Sequence, residues 1–195
     1  MNLWDLTLAE FSDRTASAAP TPGGGSVACV AAVLGVDLVS MALAITAKSA
    51  PSSEVTDTLA TLRELADRLR ACADADVACF DAFMAALAMP KQTDSEKSLR
   101  KTAIAEASLE AAEVPLVAAT FMVSALEIAQ RADALAKASV ASDVTAGRDL
   151  LAGAIRAVLR NVAVNLPTIP SADDRQRLER ERGALLARTA AHYKS

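Results

Sequence analysis

The chain has 195 residues, 52% of them apolar and 23% charged, which is enough apolar side chain for one domain with its own core and excludes a disordered polymer. A net charge of -4 leaves no electrostatic footprint for nucleic acid, and no run of Lys or Arg points to an anionic membrane surface. Aromatic residues are only 3% while alanine is abundant, so the core has to come from the close approach of slim helices. The expectation is an all-α, single-domain antiparallel helical bundle with long central helices, spanning residues 1–195.

The opening "MNLWDLTLAEF" carries Asp5 and Glu10 and has no basic stretch ahead of an apolar one, so it does not read as a secretory signal and a cytoplasmic location is expected. A short amphipathic helix is predicted from Leu6 to Ser17, ended by "AAPTPGGG". A second helix runs from Ser26 to Lys48. Its apolar stretch Val27–Ala47 has the length of a membrane span, about 20 residues. Asp37 near its middle and the many weakly hydrophobic alanines favour the central helix of a soluble bundle, and no other segment qualifies on sequence.

The third predicted helix runs from Ser53 to Met89, where Pro90 ends it. Leu59, Leu62, Ala66, Leu69, Ala73, Asp76, Phe80, Phe83 and Leu87 alternate steps of three and four and so share one face, with Asp76 interrupting the apolar seam. A carboxylate on such a seam must be paired, hydrogen-bonded or protonated, either for chemistry or as a bond to a neighbouring helix end. Phe80 and Phe83 fit core packing as well as stacking on an aromatic ligand. The fourth helix covers Ser95 to Ala136, kinked at Pro115. The fifth starts after Ser142 and reaches Leu166, and its seam Gly147, Leu151, Ala154, Val158 ends in Asn161 and Asn165. Each asparagine can donate and accept, toward a heterocycle edge or toward another helix. Ser142 and Asp143 stand where a cap and a negative charge favour a helix start. The last helix, Asp173 to Tyr193, is densely charged and reads as an outer helix, with Glu181 and Arg188 as a candidate charge pair.

Cys29, Cys72 and Cys79 form no CxxC and have no histidine beside them, which reads as reduced, buried thiols rather than a disulfide framework or a zinc site. His192 reads as a surface residue without a role. Three glycines ahead of the second helix allow backbone conformations closed to other residues and bare N–H groups aimed at a ligand. Neither GK[ST] nor GxGxxG accompanies them, so a nucleotide loop is not indicated.

In chain order, "PTPGGGSVACVAAVLG", "DADVACFDAFMAALAMPKQTDSEKSLR", "VPLVAAT" and "SDVTAGRDLLAGAIRAVLRNVAVNL" resemble the signature blocks of the cyclodeaminase/cyclohydrolase family, from Phe11 to Leu166. The family includes the C-terminal domain of formiminotransferase-cyclodeaminase and stand-alone methenyltetrahydrofolate cyclohydrolases. The resemblance implies an all-helical homodimeric enzyme acting on a one-carbon tetrahydrofolate adduct, with that folate as substrate and no cofactor or metal. It implies hydrolysis of 5,10-methenyltetrahydrofolate to the 10-formyl compound. The alternatives are a formiminotetrahydrofolate cyclodeaminase releasing ammonia, or a non-catalytic folate-binding or helical interaction protein. Carried over by position, the catalytic carboxylates are Asp76 and Asp143. The substrate-binding positions are Gly23, Gly24, Gly25, Ser26, Lys48, Lys91, Arg100, Ser142, Asn161 and Asn165. The chain departs from the family pattern at Ala47 to Ser49, at Ala136 and Lys137, and at Pro170 and Ser171.

Overall fold

The computed structural model describes residues 2–191, so His192 lies outside the described residues. Six α-helices follow one another: α1 Leu8–Thr15, α2 Gly24–Ala47, α3 Ser53–Ala88, α4 Asp94–Leu135, α5 Ala141–Asn165 and α6 Ala172–Ala191, with no strand among the described residues. The starts of α3 and α4 are fixed by side chains. Ser52 accepts from the Val55 N–H, and Thr93 with Glu96 forms a reciprocal capping box. At the end of α3, Met89 is already extended ahead of Pro90, as the residue before a proline must be to avoid its ring.

Short loops make α2 to α5 an up-and-down bundle in which each long helix touches the next and α5 closes the ring on α2. α6 packs along α4 and against α5, burying Leu178, Leu185 and Thr189. Glu181 there pairs with Arg177 at 3.5 Å and Arg188 with Glu127 of α4 at 2.8 Å, so the two do not pair with each other, being nearly two turns apart. At the N-terminus, the Leu3 N–H donates to Asp74 at 2.8 Å and the Trp4 indole to the Arg70 carbonyl at 3.1 Å, which clips the Leu3–Asp5 turn onto α3.

The fully buried core is built from Ala, Val, Leu, Ile, Cys and Met, with no aromatic residue among the described positions. Slim side chains let α2 and α5 approach until backbone meets backbone. A Cβ on Gly147 would stand 2.6 Å from the Gly35 carbonyl oxygen, and one on Gly35 would stand 2.8 Å from that of Gly147. The three cysteines are free and buried. Two helices, Gly24–Ala47 and Asp94–Leu135, are long and apolar enough to cross a membrane, one more than the sequence reading found, and half of each apolar window is buried in the bundle.

The four long helices are unequal. α2 and α5 have 24 and 25 residues, α3 and α4 have 36 and 42. The twelve residues of α3 after Asp76 add about 18 Å, so α3 and α4 continue past the start of α2 and the end of α5 as a two-helix arm. The crook of that arm is where the candidate site lies. Gly147→Ala is expected to lower unfolding free energy by about 1–3 kcal/mol through overpacking. Gly183→Ala, in α6 with open space around its Cβ position, should raise it by up to about 1 kcal/mol through helix propensity. Urea unfolding of both variants checks the pair.

Candidate active site

α2 begins without a side-chain cap, because its N-cap residue is Gly23. Its first-turn N–H groups need an acceptor, and α3 supplies one. Asp76 Oδ2 accepts from the Ser26 backbone N–H at 2.8 Å and from Ser26 Oγ at 2.7 Å. The positive end of the helix dipole favours a carboxylate there. The approach is so close that a Cβ on Gly25 would lie 2.6 Å from Asp76 Cγ and 2.7 Å from Asn161 Nδ2. No described glycine has positive φ, so Gly25 is required for this contact and not for the unusual backbone conformations the run's sequence suggests.

Asp76, Gly23 to Gly25, Phe80, Phe83, Asn161 and Asn165 line one cleft of about 290 Å³. Its α4 wall is formed by Ser108, Ala111 and Pro115, and Cys79 adds a thiol from α3. Burial, then the carboxylates of Glu110 and Asp76, push the Cys79 thiol up to about 12, so it stays protonated at neutral pH and is no thiolate nucleophile. Phe80 and Phe83 face the cleft and are only partly buried, which favours the ligand-facing reading over the core one.

The two asparagines have different duties. Pro115 lacks an N–H, which frees the Ala111 carbonyl one turn earlier in α4. Asn165 Nδ2 donates to that oxygen at 2.6 Å, so its amide nitrogen serves structure. The Asn161 amide and Asp76 Oδ1 have no hydrogen-bond partner among the described residues, which leaves both for a ligand.

Lys91 and Arg100 lie in a second, adjoining pocket of about 420 Å³ with Lys97, Lys101, Ile104 and Pro170. Ile104 stands one turn before Ser108, so one face of α4 runs from the cleft into this basic pocket. Arg100 also donates to the Leu87 carbonyl at 3.0 and 3.3 Å, closing the end of α3. Lys48, Ser142 and Asp143 do not join the cleft within one chain. Lys48 ends α2, about 36 Å along the helix from Gly24, and Asp143 lies about 27 Å along α5 from Asn161. α5 starts at Ala141 without a side-chain cap, so Ser142 is no N-cap and lies inside the first turn with Asp143.

Fold and cleft together define an all-helical protein with a small-molecule-sized site at the crook between paired long helices and the ends of two shorter ones. A family model described as formiminotransferase-cyclodeaminase matches residues 7–184. A methenyltetrahydrofolate cyclohydrolase of Methylorubrum extorquens is 34% identical over 193 residues, 95% of this chain and 91% of that protein. A formimidoyltransferase-cyclodeaminase of Rattus norvegicus is 28% identical over 85% of this chain, which spans 31% of the rat protein. The crystal structure of formiminotetrahydrofolate cyclodeaminase from Thermotoga maritima superposes with a TM-score of 0.86 at 25% identity, covering 98% of this chain and 94% of that one. The chain belongs to the formiminotransferase-cyclodeaminase family.

Asn165→Leu is expected to cost about 1–3 kcal/mol of stability, because the Ala111 carbonyl loses its donor. Asn161→Leu should leave the thermal midpoint nearly unchanged while weakening ligand binding. Differential scanning calorimetry of the two variants, with and without ligand, separates the asparagine that serves the fold from the one left open in the cleft.

Proposed function

We propose that the protein hydrolyses 5,10-methenyltetrahydrofolate to 10-formyltetrahydrofolate. The observation that carries this reading is a carboxylate with one oxygen engaged at a helix start and the other, Asp76 Oδ1, uncommitted in the cleft beside an uncommitted asparagine amide. The 34% identity to the Methylorubrum cyclohydrolase, over nearly the whole of both chains, supports it.

The substrate's one-carbon bridge is a cationic amidinium, which a carboxylate attracts. Water oriented by Asn161 attacks the bridging carbon, and Asp76 takes a proton from it as general base. The C–N5 bond of the tetrahedral adduct then breaks, N5 takes up a proton and the former water oxygen becomes the formyl carbonyl. The net reaction consumes one water and releases one proton. In this reading the first-turn N–H groups of Gly24 and Gly25, which line the cleft, meet the developing carbonyl oxygen. Phe80 and Phe83 flank the aromatic rings of the folate, and the basic pocket holding Lys91 and Arg100 receives the carboxylates of its glutamate tail. No further cofactor enters this reaction.

The working unit in this reading is a cytoplasmic homodimer. Leu34, Met41 and Ile45 of α2 and Leu150 and Val164 of α5 are exposed apolar side chains on helices that pack against each other, a face suited to a second copy. Two-fold packing with α5 antiparallel to its copy brings the start of one α5, with Asp143 and Ser142, toward the end of the other, with Asn161. Lys48 travels with them, since the Lys137 N–H donates to Thr46 Oγ1 at 3.0 Å and ties that end of α2 to the loop before α5. Asp143 then acts as the second carboxylate in proton transfer.

A second reading is favoured by the superposition on the Thermotoga cyclodeaminase. In it the same site closes 5-formiminotetrahydrofolate to the methenyl compound with loss of ammonia, through the same tetrahedral carbon.

Loss of methenyltetrahydrofolate absorbance in the near ultraviolet, corrected for spontaneous hydrolysis, tests the first reading. Asp76→Asn should lower the rate by about 10²–10⁴-fold while remaining folded. No acceleration by the wild type overturns the cyclohydrolase, and ammonia release from formiminotetrahydrofolate then decides for the second reading. Mixing inactive Asp76→Asn and Asp143→Asn chains should restore about a quarter of wild-type activity, as random pairing gives half heterodimers with one intact site each. Absence of recovery, or a monomer in sedimentation equilibrium, overturns the shared site.

A further inference from the structure

Four polar side chains among the described residues are buried: Ser26, Thr46, Ser108 and Thr189. Three of them have partners. Ser26 donates to Asp76 at 2.7 Å, while Thr46 and Thr189 donate to the carbonyls one turn back, Ala42 at 2.9 Å and Leu185 at 2.8 Å. Ser108 is 0% exposed and its Oγ has no partner among the described residues. The usual remedy for a helical serine is a bond to the carbonyl four residues back, and Ser108 does not make it. Ser108 belongs to the wall of the cleft.

An unpaired buried hydroxyl weakens the fold that holds it, and alanine forms helix better than serine. Nothing among the described residues therefore accounts for the hydroxyl, whereas a ligand in the cleft does. Its position along the cleft says which part of a ligand. α3 and α4 run antiparallel, with Arg100 at the level of Leu87 and Glu110 at that of Cys79. Ser108 therefore lies level with Cys79 and Phe80, about one turn beyond Asp76 toward the basic pocket. A folate whose one-carbon bridge is at Asp76 and whose carboxylates reach Lys91 and Arg100 has its aminobenzoyl unit at that level.

We infer that Ser108 is a substrate-binding residue whose hydroxyl donates to the amide carbonyl joining the aminobenzoyl ring to the glutamate. This rests on the folate reading of the cleft. The bond is the same in substrate and transition state, so it lowers KM and leaves kcat alone.

The test compares wild type with Ser108→Ala in three measurements: methenyltetrahydrofolate kinetics, calorimetric titration with 5-formyltetrahydrofolate, and thermal unfolding without ligand. The expected result is a KM and a dissociation constant each raised about 5- to 10-fold, the gain of one hydrogen bond, with kcat within about twofold. The ligand-free thermal midpoint stays the same or rises. Unchanged KM and unchanged affinity overturn the inference, as does a fall in the thermal midpoint, which assigns the hydroxyl to the fold. The titration does not depend on turnover, so a wild type that binds without hydrolysing fails the proposed reaction while Ser108 is still judged on affinity. A wild type that binds no folate overturns both.

Discussion

The structure turns on a helix that is capped by another helix. α2 starts at a glycine run that cannot supply its own capping oxygen, and Asp76 of α3 supplies it from 50 residues away, binding both the backbone N–H and the hydroxyl of Ser26. An N-cap is worth about 0.5–2 kcal/mol, and here it also fixes the register of α2 against α3. The cost is steric. The carboxylate sits where the Cβ of residue 25 would be, so only glycine fits. One carboxylate thus anchors the bundle through Oδ2 and presents Oδ1 to the cleft, and the anchoring is what holds that second oxygen in place.

Unequal helix length makes room for that oxygen. Where α2 begins and α5 ends, α3 and α4 continue, and the gap left by the two shorter helices becomes the cleft. A proline in the long helix α4 would leave a bare carbonyl facing this gap. Asn165 of α5 covers it, so the break in α4 becomes a joint between α4 and α5 at the cleft wall. The exposed Met84, Leu87 and Leu99 belong to the stretch of α3 and α4 that outruns the other two helices and lacks neighbours to bury them.

Helix number, order and ends were largely legible in the sequence because each boundary is a local event: Pro90 after α3, the Thr93 and Glu96 box before α4, the Ser52 cap before α3. Ser142 misled for a local reason too, since the turn at Ala138–Val140 lets α5 begin two residues earlier than expected, at Ala141. Asp76 and Asn161 were legible as polar interruptions of apolar seams. The reason for Gly25 was not, because it depends on two side chains from distant helices, α3 and α5. The partner of Asn165 is likewise created by a missing N–H in another helix. Ser108 gave no signal, as one serine in an alanine-rich helix looks ordinary until its hydroxyl is found without a partner. A resemblance carried over position by position also says nothing about which end of a bundle a residue occupies, and so it grouped Lys48, Ser142 and Asp143 with residues at the opposite end of the same chain.

The scarcity of aromatic residues follows from the same geometry. A bundle whose helices touch at Gly35 and Gly147 has no space for rings, and the buried core contains none among the described residues. Rings are left to the periphery: Trp4 and Phe121 lie under the guanidinium groups of Arg70 and Arg68, 5.5 and 5.3 Å from ring centre, and Phe11 packs beside the core. Phe80 and Phe83 are the exception, since they continue the apolar seam of α3 beyond the point where α2 covers it. The seam that buries Leu62, Ala66, Leu69 and Ala73 below Asp76 becomes an aromatic wall above it. A single helix face thus changes from core to cleft wall at the residue that caps its neighbour. That change needs no loop or lid, only two helices that outlast the other two.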